Sequence, residues 1–152
     1  HPPNVDSVLY FADRIWPKIH AERPDMPFYV VGSHVPPEIQ ELDGHDNIRV
    51  LGYVEDLATC FDHVRLSVAP LRYGAGTKGK VTMAMAYRLP VIATTCGAEG
   101  MGLIDGENIV VAREDESLVT LPKEMFVVDP NGALMARIMM ADLEAALAAQ
   151  AG

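Results

Sequence analysis

Nine consecutive residues, Arg72-Tyr73-Gly74-Ala75-Gly76-Thr77-Lys78-Gly79-Lys80, hold three glycines and three cations in a chain whose formal net charge is -9. Glycine lets backbone N–H groups approach an anion closely, a helix start adds unpaired N–H donors, and Arg72, Lys78 and Lys80 supply neutralising charge. A phosphate or diphosphate is the ligand such a set suits. The same composition also fits a glycine turn with solvated lysines, and spacing alone leaves both readings open. Two nucleotide-binding patterns are excluded. Gly79-Lys80 is followed by Val81 where a Walker A loop has Ser or Thr, and no acidic residue ends the next apolar run, 90–95, as a dinucleotide fingerprint requires.

The other reactive side chains form no such group. Cys60 and Cys96 stand 36 residues apart with no CxxC, and His20, His34, His45 and His63 share no ligand spacing, so neither a metal site nor a disulfide framework is expected. Glu99 and Asp105 are not set opposite a second acid, which leaves hydrolysis by paired carboxylates unsupported. Twelve Lys and Arg against 21 Asp and Glu disfavour nucleic acid or an anionic membrane as partner.

Positioning the glycine loop falls to the elements around it. Over 4–21, Val5, Val8, Leu9, Ala12, Ile15, Trp16 and Ile19 recur at three- and four-residue steps, the stripe of an amphipathic helix. Short apolar runs closed by turn residues predict buried strands at 28–32, 47–52, 64–71, 90–95 and 108–112, with a weaker one at 125–128. Helices are expected between them at 38–42, 56–63 and 80–88, and an Ala-rich one at 133–150. Such alternation is the signature of a parallel, Rossmann-like α/β sheet with helices on both faces. In that architecture ligands sit beyond the carboxyl ends of the strands, where the loop lies.

The 152 residues, 49% of them hydrophobic, suffice for one domain with an apolar core over 1–152, with 113–132 irregular. The longest apolar runs fall short of the ~18 residues of a membrane span, and no hydrophobic signal region opens the sequence. A soluble, cytoplasmic protein is expected.

The stretch 70–100, PLRYGAGTKGKVTMAMAYRLPVIATTCGAEG, together with HPPNVD at 1–6, FYVVG at 28–32 and VLGYV at 50–54, resembles the C-terminal domain of group 1 retaining glycosyltransferases of the GT-B fold. These enzymes transfer sugars from nucleoside-diphosphate donors. The resemblance covers about 1–112 and implies that the loop and the following helix start hold the donor diphosphate. It implies Arg72 and Lys78 as the catalytic cations, with Gly74, Gly76, Thr77 and Lys80 binding the donor beside them. Glu99, in the loop after the fourth strand, and His1 fall where the family approaches the donor sugar. Glu99 equally suits a helix-start acid, and His1 an exposed terminal residue.

Two positions depart from the family pattern. Met83 stands where the family has the Glu that holds the nucleotide ribose, and Arg88 where it has Gly. A thioether cannot accept two ribose hydroxyls as a carboxylate does.

The function implied is the donor-binding half of a retaining, hexosyl-transferring enzyme with a nucleotide sugar as substrate, no cofactor and no metal. In the family a first strand and an acceptor-binding N-terminal domain precede the position of His1. The resemblance therefore implies a partner domain, and an isolated chain that binds donor without turning it over. A degenerate, non-catalytic domain kept for packing or regulation is the second reading, and Met83 and Arg88 favour it. A flavodoxin-like or receiver-like domain needs acidic residues at the ends of its early strands, which Gly32-Ser33-His34 and Gly52-Tyr53-Val54 do not supply.

Overall fold

The computed structural model describes residues 1–113, 115 and 118. Its elements run helix α1 (Pro2–Tyr10), a π-helical turn (Phe11–Ile15), α2 (Trp16–Glu22), β1 (Phe28–Val31), α3 (Pro37–Gln40), β2 (Ile48–Gly52), α4 (Leu57–Phe61), β3 (Ser67–Ala69), α5 (Gly79–Ala86), β4 (Val91–Thr94), α6 (Thr95–Ala98) and β5 (Val110–Ala112). All pairings are parallel, β1 with β2 in a two-stranded sheet and β3-β4-β5 in a three-stranded one. Strands alternate with helices throughout, which makes this the Rossmann-like α/β fold that the apolar runs predict.

The helix expected over 4–21 forms with a change of pitch. Pro17 has no N–H to give the Asp13 carbonyl, and the five residues before Trp16 widen into the π turn. The apolar stripe survives this change. Phe11, Ile15, Trp16 and Ile19 are all buried, and the Phe11 and Trp16 rings meet Phe28 of β1 at centroid separations of 5.0 and 5.3 Å. The Trp16 indole N–H is satisfied by the Asp46 carbonyl at 2.8 Å. Ile48 of β2 joins this cluster, as do Ile92 and Val110 of the other sheet, so one apolar interior serves both sheets.

Strands are shorter than the runs that announce them, for local reasons. Pro70 lacks the N–H that would extend β3 through the run at 64–71. Asn47 takes left-handed backbone, with φ 60°, so β2 begins one residue later than expected. Thr95 leaves the strand expected at 90–95 and opens α6. The expected strand over 125–128, the helix over 133–150 and most of the irregular stretch 113–132 lie outside the described residues.

A second apolar cluster seats the element that follows the glycine loop. Val81 and Ala84, one turn apart on α5, are fully buried with Ala69 of β3 and Val91 and Ala93 of β4. Burying Val81 contributes about 1.5–3 kcal/mol, which fixes the first turn of α5 beside these two strands. Among the described residues no helix is long and apolar enough to cross a membrane.

Candidate functional site

The carboxyl ends of β3 and β4 are tied together where the loop begins. The Thr94 hydroxyl donates to the Leu71 carbonyl and accepts from the Gly97 N–H at 3.1 Å, so one side chain both ties the strands and caps α6. A Cβ on Gly97 would stand 2.6 Å from the Ala69 carbonyl oxygen, so only glycine lets α6 approach β3 this closely. From this junction Leu71, itself buried, leads into the loop.

Helix α1, some seventy residues earlier in the chain, forms the loop's other support. Arg72 makes a two-pronged ion pair with Asp6, its Nε 3.0 Å from Oδ2 and its Nη2 on Oδ1. Its guanidinium carbon also lies 4.8 Å from the ring centre of Tyr10, one turn further along α1. Hydrogen bonding from Arg72 holds the Asp6 carboxyl below its ordinary range. Burial and the hydrogen bond to Asp115 push the Tyr10 hydroxyl up to about 12. Lys80 reaches the Asn4 side-chain oxygen at 2.8 Å, and Pro3 lies directly under Gly74, whose φ is 132°.

The two lysines differ in role. Lys78 is buried, 7% exposed, and its ammonium donates to the Gly74 carbonyl at 3.1 Å and the Gly76 carbonyl at 2.8 Å. Lys80 is held below its ordinary range by burial first and by the charge of Lys78 second. Two ammonium groups repelling one another beside a glycine loop are relieved by an anion between or before them. The N–H groups of Gly74, Ala75, Gly76 and Thr77 have no acceptor among the described residues.

Of the residues singled out in the sequence, Arg72, Gly74, Gly76, Thr77, Lys78 and Lys80 are thus gathered on one loop. His1 is exposed and caps α1 through its carbonyl, which accepts from the Asn4 and Val5 N–H groups at 3.0 and 3.3 Å. Glu99 is exposed at the C-terminal end of α6, not at a helix start. Neither side chain has a polar partner among the described residues. Met83 is exposed on α5, three residues after Lys80.

Beside the loop lies an open cleft of about 930 Å3, bounded by the end of α1 and the carboxyl ends of β3, β4 and β5. Arg72 borders both loop and cleft. The sequence reading missed the rest of the lining used here, namely Arg14, Thr94, Thr95, Cys96 and Arg113. The signal available was position alone, since Thr94 and Thr95 end one apolar run, and Cys96 and Arg113 directly follow the runs at 90–95 and 108–112. Among the described residues no group of three or more His, Cys, Asp or Glu side chains is gathered closely enough to hold a metal ion.

Comparison with known proteins gives three findings. The family model described as "Glycosyl transferases group 1" matches residues 1–121. The "Uncharacterized 44.6 kDa protein in cps region" of Klebsiella pneumoniae is 27% identical over 122 residues, which cover 75% of this chain and only 31% of that relative. The C-terminal domain of a group 1 family glycosyl transferase (LpcC) from Francisella tularensis superposes with a TM-score of 0.65 at 18% identity, covering 94% of this chain and 80% of that one.

Proposed function

The chain belongs to the group 1 glycosyl transferases, and from that membership we propose that it binds the nucleoside-diphosphate-sugar donor of a retaining, hexosyl-transferring GT-B enzyme. The observation that carries this is the loop 74–80. Its N–H groups at 74–77, without acceptors among the described residues, and its two neighbouring ammonium groups meet at the carboxyl ends of parallel strands, where an open α/β sheet holds ligands. The diphosphate lies on the loop, next to Lys80 and the start of α5. The sugar extends toward Arg72 and the cleft beyond it.

Chemistry at this site is electrostatic. As the bond from sugar to diphosphate breaks, negative charge grows on the leaving oxygens, and N–H donors and cations already fixed in place stabilise it without reorganisation. Arg72 is held by Asp6 and Tyr10 at the border of loop and cleft, which makes it the cation nearest the reacting centre. A second domain, carrying the acceptor, closes the other side. The chain alone therefore binds donor without transferring sugar.

Met83 favours the second reading, a non-catalytic domain, because an exposed thioether offers a ribose no acceptor. Calorimetric titration of the chain with UDP, GDP, ADP and dTDP separates the two. Saturable binding of one nucleotide, weakened about tenfold or more by Lys80→Met through loss of a charge-assisted contact, supports donor binding. No binding of any of the four by the folded chain favours the non-catalytic domain.

A further inference from the structure

Buried lysines are rare, and among the described residues Lys78 and Ser7 are the two buried polar side chains. Lys78 spends its ammonium on two carbonyls of its own loop, those of Gly74 and Gly76. Both glycines hold positive φ, 132° and 82°, which costs glycine nothing sterically, but glycine has many other conformations open to it, so holding the loop in this one needs a tie. In a planar trans peptide the C=O and N–H point in opposite directions. Drawing the Gly74 and Gly76 carbonyls onto Lys78 therefore turns the N–H groups of Ala75 and Thr77 away from it, and neither N–H has an acceptor among the described residues.

We infer that Lys78 is a positioning residue of the donor site, which staples the carbonyls of Gly74 and Gly76 inward so that the Ala75 and Thr77 N–H groups, rather than its own ammonium, contact the diphosphate. The inference rests on the donor-binding reading above. It changes the part assigned to Lys78 from a cation that meets the leaving group to one that builds the surface meeting it. It also adds Ala75, whose side chain offers no chemistry, as a backbone ligand.

The test compares the parent chain with Lys78→Met and Lys78→Arg by backbone 15N relaxation and by UDP, GDP, ADP and dTDP titration. In the parent, the amides of Ala75 and Thr77, which share peptide planes with the two stapled carbonyls, have order parameters near 0.85, and in Lys78→Met they fall below about 0.6. Affinity for the bound nucleotide drops about tenfold or more with the lost preorganisation, and Lys78→Arg, which can still donate to both carbonyls, restores most of it. On nucleotide binding the Ala75 and Thr77 amide protons shift downfield. Should Lys78→Met not fold, Lys78→Gln, with its two N–H donors on a shorter reach, takes its place: a loop kept partly ordered with affinity partly kept supports the staple. An ordered loop that has nonetheless lost its affinity, in either variant, makes Lys78 a direct phosphate ligand and overturns the inference while leaving donor binding intact. Failure of the parent to bind any of the four nucleotides overturns both.

Discussion

The Asp6–Arg72 pair contributes to the acid limb of stability, as Asp25 beside Arg23 does. The folded chain holds the Asp6 carboxyl below 3.8, so its pairing stabilises the fold above that pH and is lost as pH falls below it. Asp6→Asn flattens the dependence of unfolding free energy on pH in that window, as urea titrations at a series of acidic pH values check. Lys80 acts at the other end of the scale with the opposite sense. Its folded pKa lies below the ordinary 10.5, so the unfolded chain binds more protons between the two values and stability rises with pH there. A diphosphate on the loop restores the ordinary protonation of Lys80. Nucleotide binding in that alkaline window therefore takes up protons and weakens as pH rises, as calorimetry in buffers of different ionisation enthalpy measures. Gly97 is the most sterically constrained position of the site. Gly97→Ala sets a methyl against the Ala69 carbonyl and costs about 1–3 kcal/mol, read from the urea midpoint.

Helix ends hold the site's elements in place. Helix α5 closes in a Schellman motif, with the Leu89 N–H on the Ala84 carbonyl at 3.0 Å and the Arg88 N–H on the Met85 carbonyl at 2.9 Å. That motif requires a left-handed residue, and Arg88 provides it with φ 60°. Its departure from the family's glycine is thus a strained side chain in a glycine's conformation. Arg88→Gly stabilises the chain by about 1 kcal/mol, visible as a raised urea midpoint, and a loss of stability contradicts the motif. At the start of α6, Thr94→Val removes a cap and the tie to Leu71 together and costs about 1–2 kcal/mol.

The elements were legible in the sequence to different degrees. Periodicity located the helix over 4–21 because its buried stripe is long, the glycine loop announced the start of α5, and continuous apolar runs located all five strands. Strand ends were not legible where one residue's backbone decided them, as at Asn47 and Thr95. The loop was found by composition, yet its internal wiring was hidden. Nothing in the spelling Lys78-Gly79-Lys80 says that one ammonium is buried on carbonyls while the other reaches Asn4. The partners Asp6 and Tyr10 of Arg72 are contacts across more than sixty residues, which local pattern cannot supply.

Among the described residues two parallel sheets share one core, and α1 crosses from that core to the glycine loop through Pro3, Asn4, Asp6 and Tyr10. The stretch 1–10 thereby both packs on the core and supports the glycine loop, which places HPPNVD beside a segment some seventy residues away in sequence. Donor binding at that loop is tested most directly by following the backbone amide spectrum of the chain as UDP, GDP, ADP and dTDP are added in turn. One nucleotide is expected to shift the amides at 74–80 and those of Thr94 to Cys96 in a saturable way, leaving β1 and β2 unmoved. Saturable shifts confined to β1, β2 or α3, or no shift with any nucleotide, contradict the assignment of this domain as the donor half of a glycosyl transferase.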